Sequence, residues 1–292
     1  MMSALPYVII TLVAGLPSEV SASAGQSSPR QPIASVGNKQ KRLSEAEEMT
    51  RLGMIHLNKK EYAHARQLMS RSLEICTEVL GKDHPVSAWH MNVVGCLCIW
   101  MDDYPAAERH LRQTLAVFKK ALGEEHPSHV DTLNNLGSLY VKTGDYDRAR
   151  PLLIQVMESQ KKRFGEDHPA YAAGVTNVAF LHLRAGEYER AEPLFRQGLA
   201  IYKKRCGETH PAYAYNLANL GQLYTAKGDY STAESLLRQA LAIQEKVLAP
   251  DDPNLAESLG HCAALLRKMG QEDEAQVMEA RVRRIREERA KR

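Results

Sequence analysis

Residues 123–169 read GEEHPSHVDTLNNLGSLYVKTGDYDRARPLLIQVMESQKKRFGEDHP, and the stretch opens and closes on one signature, Gly123-x-x-His126-Pro127 and Gly165-x-x-His168-Pro169. Between them Leu133, Leu136, Tyr140 and Val141 recur at three- and four-residue spacing, which marks one apolar helical face. Lys142-Thr143-Gly144-Asp145 interrupts that face. Gly144 suits the left-handed position that ends a helix, and Asp145 can cap the next one through its carboxylate. Ala149, Leu153, Val156 and Met157 carry a second apolar face, Gly165 ends it, and Pro169, with its fixed φ, opens the following unit.

Working outward, the His-Pro pair returns at His84-Pro85, His126-Pro127, His168-Pro169 and His210-Pro211, each 42 residues from the last, and the next step lands on Pro253. Each pair follows a glycine by three residues: Gly81, Gly123, Gly165 and Gly207. Tyr62, Tyr104, Tyr146, Tyr188 and Tyr230 keep the same 42-residue period. Two landmarks in register define a tandem repeat of helix pairs. Small residues repeat with them: Gly137, Ala179, Gly221 and Ala263 in the first helix, and Ala107, Ala149, Ala191, Ala233 and Ala275 in the second. Helices approach closely only where one offers little side chain.

Leu133-x2-Leu136-Gly137-x2-Tyr140 with Ala149-x3-Leu153 resembles the tetratricopeptide (TPR) pattern. So do Leu217-x2-Leu220-Gly221-x2-Tyr224 with Ala233-x3-Leu237, and Ala191-x3-Phe195. The 42-residue period and the Gly-x2-His-Pro turn resemble the longer subclass found in kinesin light chains. The resemblance implies an all-α, right-handed superhelical solenoid of about six antiparallel helix pairs over residues 43–292, with units starting near 43, 85, 127, 169, 211 and 253. The outer pairs read as caps. Ser44-x-x-Glu47 has the form of a capping box opening the first helix, and the charged run from Glu279 to Arg289 supplies the polar outer face that a terminal repeat requires.

Upstream of the repeats, Leu5 to Leu16 is an apolar run followed by Ala22-Ser23-Ala24, the pattern of a cleavable signal peptide over residues 1–24, although Met1 to Ala4 carries no Lys or Arg. Cleavage there implies a secreted or periplasmic protein; an uncleaved chain implies a cytoplasmic one. Residues 25–42, rich in Ser, Gln, Pro and Gly, read as a disordered linker.

Several chemistries are disfavoured. With 38 basic and 35 acidic side chains, net charge is +3, too near zero for a global attraction to nucleic acid or anionic membrane. No apolar run reaches the roughly 18–20 residues of a transmembrane helix. The five cysteines are irregularly spaced and do not form a disulfide scaffold. Cys96 and Cys98 lie about 200° apart around a helix and read as apolar fillers. His84, His126, His168 and His210 would stack roughly 10 Å apart, whereas zinc holds its ligands at about 2 Å. They read as turn residues bonding local backbone, and no metal or cofactor is expected. No P-loop, G-x-G-x-x-G, H-E-x-x-H or G-x-S-x-G occurs, so no enzymatic activity or small-molecule substrate is expected.

The expected function is a non-catalytic protein–protein interaction scaffold that takes a peptide or helix of a partner in a concave groove, lined by the first helix of each pair. Asn135, Asn177 and Asn219 are equivalent residues, each eight after its unit-opening proline, and the TPR resemblance implies that they contact bound peptide. Asn offers donors and an acceptor to an extended backbone; the alternative is that these amides hold neighbouring helices in register. Asn92, Asn134, Tyr215, Gln222, Lys142 and Arg184 complete the candidate wall, with Trp89 and Asp131 beside them. Ser138, Phe180 and Gln222 occupy a position where a carboxylate clamp needs Lys or Arg, which argues against capture of a C-terminal carboxylate. Two other readings remain: a structural, self-associating envelope or assembly protein, and a regulatory binder of nucleic acid or anionic surfaces through the basic run Arg281–Arg292. The glutamates interspersed in that run favour a solvated cap.

Overall fold

The computed structural model describes residues 33–290, which contain twelve α-helices and no strand. They alternate in pairs: α1 (Ile33–Asn58) with α2 (Tyr62–Leu80), α3 (Pro85–Trp100) with α4 (Tyr104–Leu122), and α5 (Pro127–Thr143) with α6 (Tyr146–Phe164). α7 (Pro169–Arg184) and α8 (Tyr188–Cys206), α9 (Pro211–Lys227) and α10 (Tyr230–Val247), and α11 (Pro253–Lys268) and α12 (Glu272–Ala290) follow. No described helix is long and apolar enough to cross a membrane. The chain divides into two compact units, one ending at Leu139 and the other running on from Tyr140. In the first, α2 packs on α1 and α3, and α3 on α4. In the second, each helix from α6 to α12 packs on the next, and α9 also touches both α7 and α11.

Each kind of turn is built by its own repeated device. The imidazole Nδ1 of His84, His126, His168 and His210 accepts from the backbone N–H two residues on, at 3.0–3.2 Å, and so caps the helix that the adjoining proline opens. Asp252 does the same for α11, donor Asn254 N at 2.8 Å. The histidines are thus N-caps, bonding local backbone as their spacing suggests.

Within each pair the chain reverses through one left-handed residue. The next N–H then reaches back to a carbonyl five residues earlier, as in Asp145 N to Tyr140 O and Glu187 N to His182 O, both 2.8 Å. Glycine holds that position at Gly144, Gly186, Gly228 and Gly270, but Lys60 (φ 61°) and Asp102 (φ 59°) hold it in the first two pairs. A side chain there costs about 1–2 kcal/mol, less for Asp. Lys60→Gly is therefore expected to raise stability by about 1 kcal/mol in chemical denaturation, and Asp102→Gly by less; a loss at Lys60 would contradict the strain.

Packing inside a pair turns on the small residue of the first helix. A Cβ on Gly221 would lie 2.7 Å from Leu237 Cγ, and one on Gly95 would lie 3.1 Å from Leu111 Cγ. The large side chain sixteen residues on, which is Met69, Leu111, Phe195 or Leu237, therefore rests on helix backbone and is fully buried. In the first unit a polar network adds to this: His90 Nε2 meets Thr50 Oγ1 at 2.9 Å and Ser72 Oγ at 3.0 Å, tying α1, α2 and α3.

The N-terminal boundary differs from expectation. α1 starts at Ile33, so residues 33–42, read from sequence as linker, are helical, and Ser44 and Glu47 lie inside α1 rather than forming a capping box at its start. Ala34, Lys39, Gln40, Lys41 and Arg42 are all good helix formers, and Arg42 reaches Glu78 on α2. The rest of the linker and the candidate signal peptide lie outside the described residues. At the other end the charges of α12 are largely paired or solvated: Arg281 binds Glu245 at 2.7 Å and Glu279 binds Arg267 at 2.8 Å.

Candidate functional site

In the second unit α7, α9 and α11 lie side by side, and their equivalent residues make a grid. Stepping 42 residues gives Ala173, Tyr215 and Glu257; Asn177, Asn219 and His261; Phe180, Gln222 and Ala264; and Arg184, Ala226 and Lys268. Within each helix these positions are spaced four, three and four apart, so they occupy one face. A recess of about 270 Å³ opens on this face, lined by Arg184, Tyr188, Gln222, His261 and Lys268 with smaller neighbours. Arg184 and Lys268 are exposed at its rim, while Gln222 and His261 are half-buried and in contact, Gln222 Nε2 to His261 Nδ1 at 2.8 Å.

The electrostatics of this face follow from burial. Glu257, whose side chain is only 14% exposed, is pushed up to about 8 by desolvation, which the Arg184 guanidinium partly offsets. Desolvation drives His261 the other way, down to about 4. The two groups approach to 4.0 Å, and both are mostly neutral at pH 7. Burial, with the Glu257 carboxyl nearby, also pushes the Tyr215 phenol well above its usual value. The cationic side chains Arg184 and Lys268 therefore dominate the face at neutral pH.

The residues picked from sequence fall into three groups. Gln222 and Arg184 line the recess and Tyr215 lies on the same face. Asn177 is half-buried beside them, and Asn219 is closed off from solvent, its Nδ2 without a hydrogen-bond partner among the described residues. Asn92, Asn134 and Asn135, in the first unit, are buried, and Asn135 Nδ2 donates to Asn92 Oδ1 at 3.3 Å. That bond ties α3 to α5, the register role. Lys142 sits half-buried in the last turn of α5. Glu257, His261 and Lys268 are the members that the sequence did not single out; a 42-residue step from Tyr215, Asn219 and Ala226 leads to each.

Elsewhere, burial raises the thiols of Cys76 and Cys262 to about 11 and that of Cys96 further still, so none is a ready nucleophile. Near the α1–α2 turn, donor atoms of His56, Glu61 and His64 all lie within 4.8 Å of one another, a grouping of potential metal ligands that the sequence did not suggest.

Comparison with known proteins gives the same architecture. The tetratricopeptide repeat profile matches residues 44–120, 97–162, 128–204, 171–246 and 213–288. A search of curated proteins by sequence finds no match. Among solved structures, the nearly identical TPR-like repeats of a Podosopora anserina protein described as a kinesin light chain are 29% identical. They cover 70% of this chain and 96% of their own, with a TM-score of 0.52. BtubC (BKLC) from P. vanneervenii is 19% identical over 85% of this chain and 91% of its own, TM-score 0.55. A Rap protein complexed with competence and sporulation factor is 17% identical over 87% of this chain and 79% of its own, TM-score 0.62. The last two show likeness of fold alone. With repeats matched from residue 44 to residue 288, this chain belongs to the tetratricopeptide-repeat family, in its kinesin-light-chain-like subclass, a family of generally non-catalytic protein-interaction scaffolds.

Proposed function

We propose that the α7–α9–α11 face of the second unit docks an acidic segment of a partner protein. The observation that carries this reading is the charge state of the recess: Arg184 and Lys268 stand at its rim while Glu257 and His261 are held neutral. A face with uncompensated cations favours carboxylates and steers them in. Gln222 and Tyr188 offer polar contacts on the lining. Acidic side chains fit better than a chain terminus, because Phe180 and Gln222 occupy the positions where a terminal carboxylate would need a cation.

The test is selection of a random twelve-residue peptide display library on the full chain. Selected peptides are expected to be rich in Asp and Glu. Their affinity should fall at least tenfold in Arg184→Glu/Lys268→Glu, with the circular-dichroism melt unchanged because both side chains are exposed. Peptides without acidic enrichment, or binding indifferent to the charge reversal, would overturn the reading.

A further inference from the structure

We propose that His56, Glu61 and His64 form a binding site for a divalent transition-metal ion of zinc's class at the turn between α1 and α2. His56 lies in the last turn of α1, Glu61 is the residue at the N-cap of α2, and His64 falls three residues later in its first turn. An i, i+3 pair shares a helix face, so Glu61 and His64 lie on one side of α2, and His56 closes the group from α1. The donor atoms lie within 4.8 Å of one another, and the two rings are 5.4 Å apart between centroids. Tetrahedral zinc separates its ligand atoms by about 3.3 Å, so a modest rotation of the exposed His64 completes the set. Two imidazoles and one carboxylate suit zinc or a neighbouring transition metal rather than magnesium or calcium, and water fills the remaining position.

The other turns show why this one is set apart. Where the N-cap residue is Asp, as at Asp103, Asp145 and Asp229, its carboxylate accepts from a backbone N–H and caps the helix. Glu61 makes no such cap; its longer side chain turns back to His56. Glu187 does likewise, meeting His182 Nδ1 at 2.5 Å. Around Glu187, however, the charge is met by guanidiniums: Arg150 at 2.7 Å and Arg190 at 3.4 Å. Arg190 is the repeat equivalent of His64. The first pair thus offers a metal-ligating imidazole where the fourth offers a guanidinium, and a divalent ion there would supply the charge that Arg190 supplies to its own carboxylate.

Isothermal titration of the untagged full chain with Zn²⁺ tests this, together with Co²⁺ absorption in the visible. The intact protein is expected to take up one equivalent and to melt at a higher temperature with Zn²⁺. His64→Ala and Glu61→Gln should each weaken that uptake at least tenfold and abolish the rise in melting temperature. The metal-free melt of His64→Ala should match the parent, because that side chain is exposed. Absence of uptake by the parent, or parental Zn²⁺ affinity in both variants, would overturn the site.

Discussion

Phe195→Ala is expected to destabilise the second unit by about 3–5 kcal/mol, a large part of the roughly 5–15 kcal/mol that holds a typical domain folded. Phe195 is the largest fully buried side chain among the described residues. It occupies the position in α8 that rests on the small residue of the preceding helix, here the fully buried Ala179. Truncation removes the ring from a region closed on all sides by helices that hydrogen-bonded backbone keeps from collapsing. The lost burial therefore adds to the cavity it leaves. Phe195→Leu, the residue found at the equivalent positions 111, 153 and 237, should cost only roughly 1–2 kcal/mol. Because neighbouring repeats support one another in turn, the loss should appear in hydrogen exchange as earlier opening of α7 and α8. A denaturant midpoint within error of the parent would mean that α7 and α8 do not close over this side chain.

How far the sequence reveals this molecule depends on whether a feature repeats. The helix pairs, the His-Pro caps and the left-handed turn at Gly144 are readable because each is a local rule stated at least four times at a fixed interval, and register then places them. The start of α1 was not readable: residues 33–42 carry no repeat landmark, and Ser44-x-x-Glu47 imitates a helix start in the middle of a helix. The wall residues were half readable. Periodicity put Asn177, Gln222 and Arg184 on one face, but it could not say that Asn92 and Asn135 bond each other out of solvent, which depends on how deeply adjoining helices pack. Nor could it assign charge states. Glu257 and His261 look like an ordinary acid and base until burial is known, and His56, Glu61 and His64 belong to the turn, Lys60-Glu61, that has neither the glycine nor the aspartate of Gly144-Asp145 and Gly228-Asp229.

The pH dependence of Glu257→Gln is the second large effect expected. A carboxyl pushed up to about 8 in the folded chain binds protons that the unfolded chain, near 4.5, has already released. Its stabilising influence is therefore complete below about pH 4.5 and is lost as pH rises toward 8. The full shift corresponds to about 5 kcal/mol; residual exposure of the side chain and relaxation around the charge reduce this to roughly 2–4 kcal/mol. His261 has the opposite sign: held near 4 against an ordinary 6.5, it favours the folded state increasingly as pH rises from about 4 to 6.5. The two slopes oppose each other up to about pH 6.5, and above it only the Glu257 slope of the two remains, lowering stability. Glu257→Gln should thus match the parent near pH 5 and exceed it by roughly 2–4 kcal/mol at pH 8.5, as read from urea midpoints at each pH. A difference that does not change with pH would mean that Glu257 ionises as an exposed carboxylate does. The same titration bears on binding: once Glu257 ionises beside Arg184, the face loses its excess of cations, so an acidic peptide should bind the parent more weakly at pH 8.5 than at pH 7 while Glu257→Gln binds it equally at both.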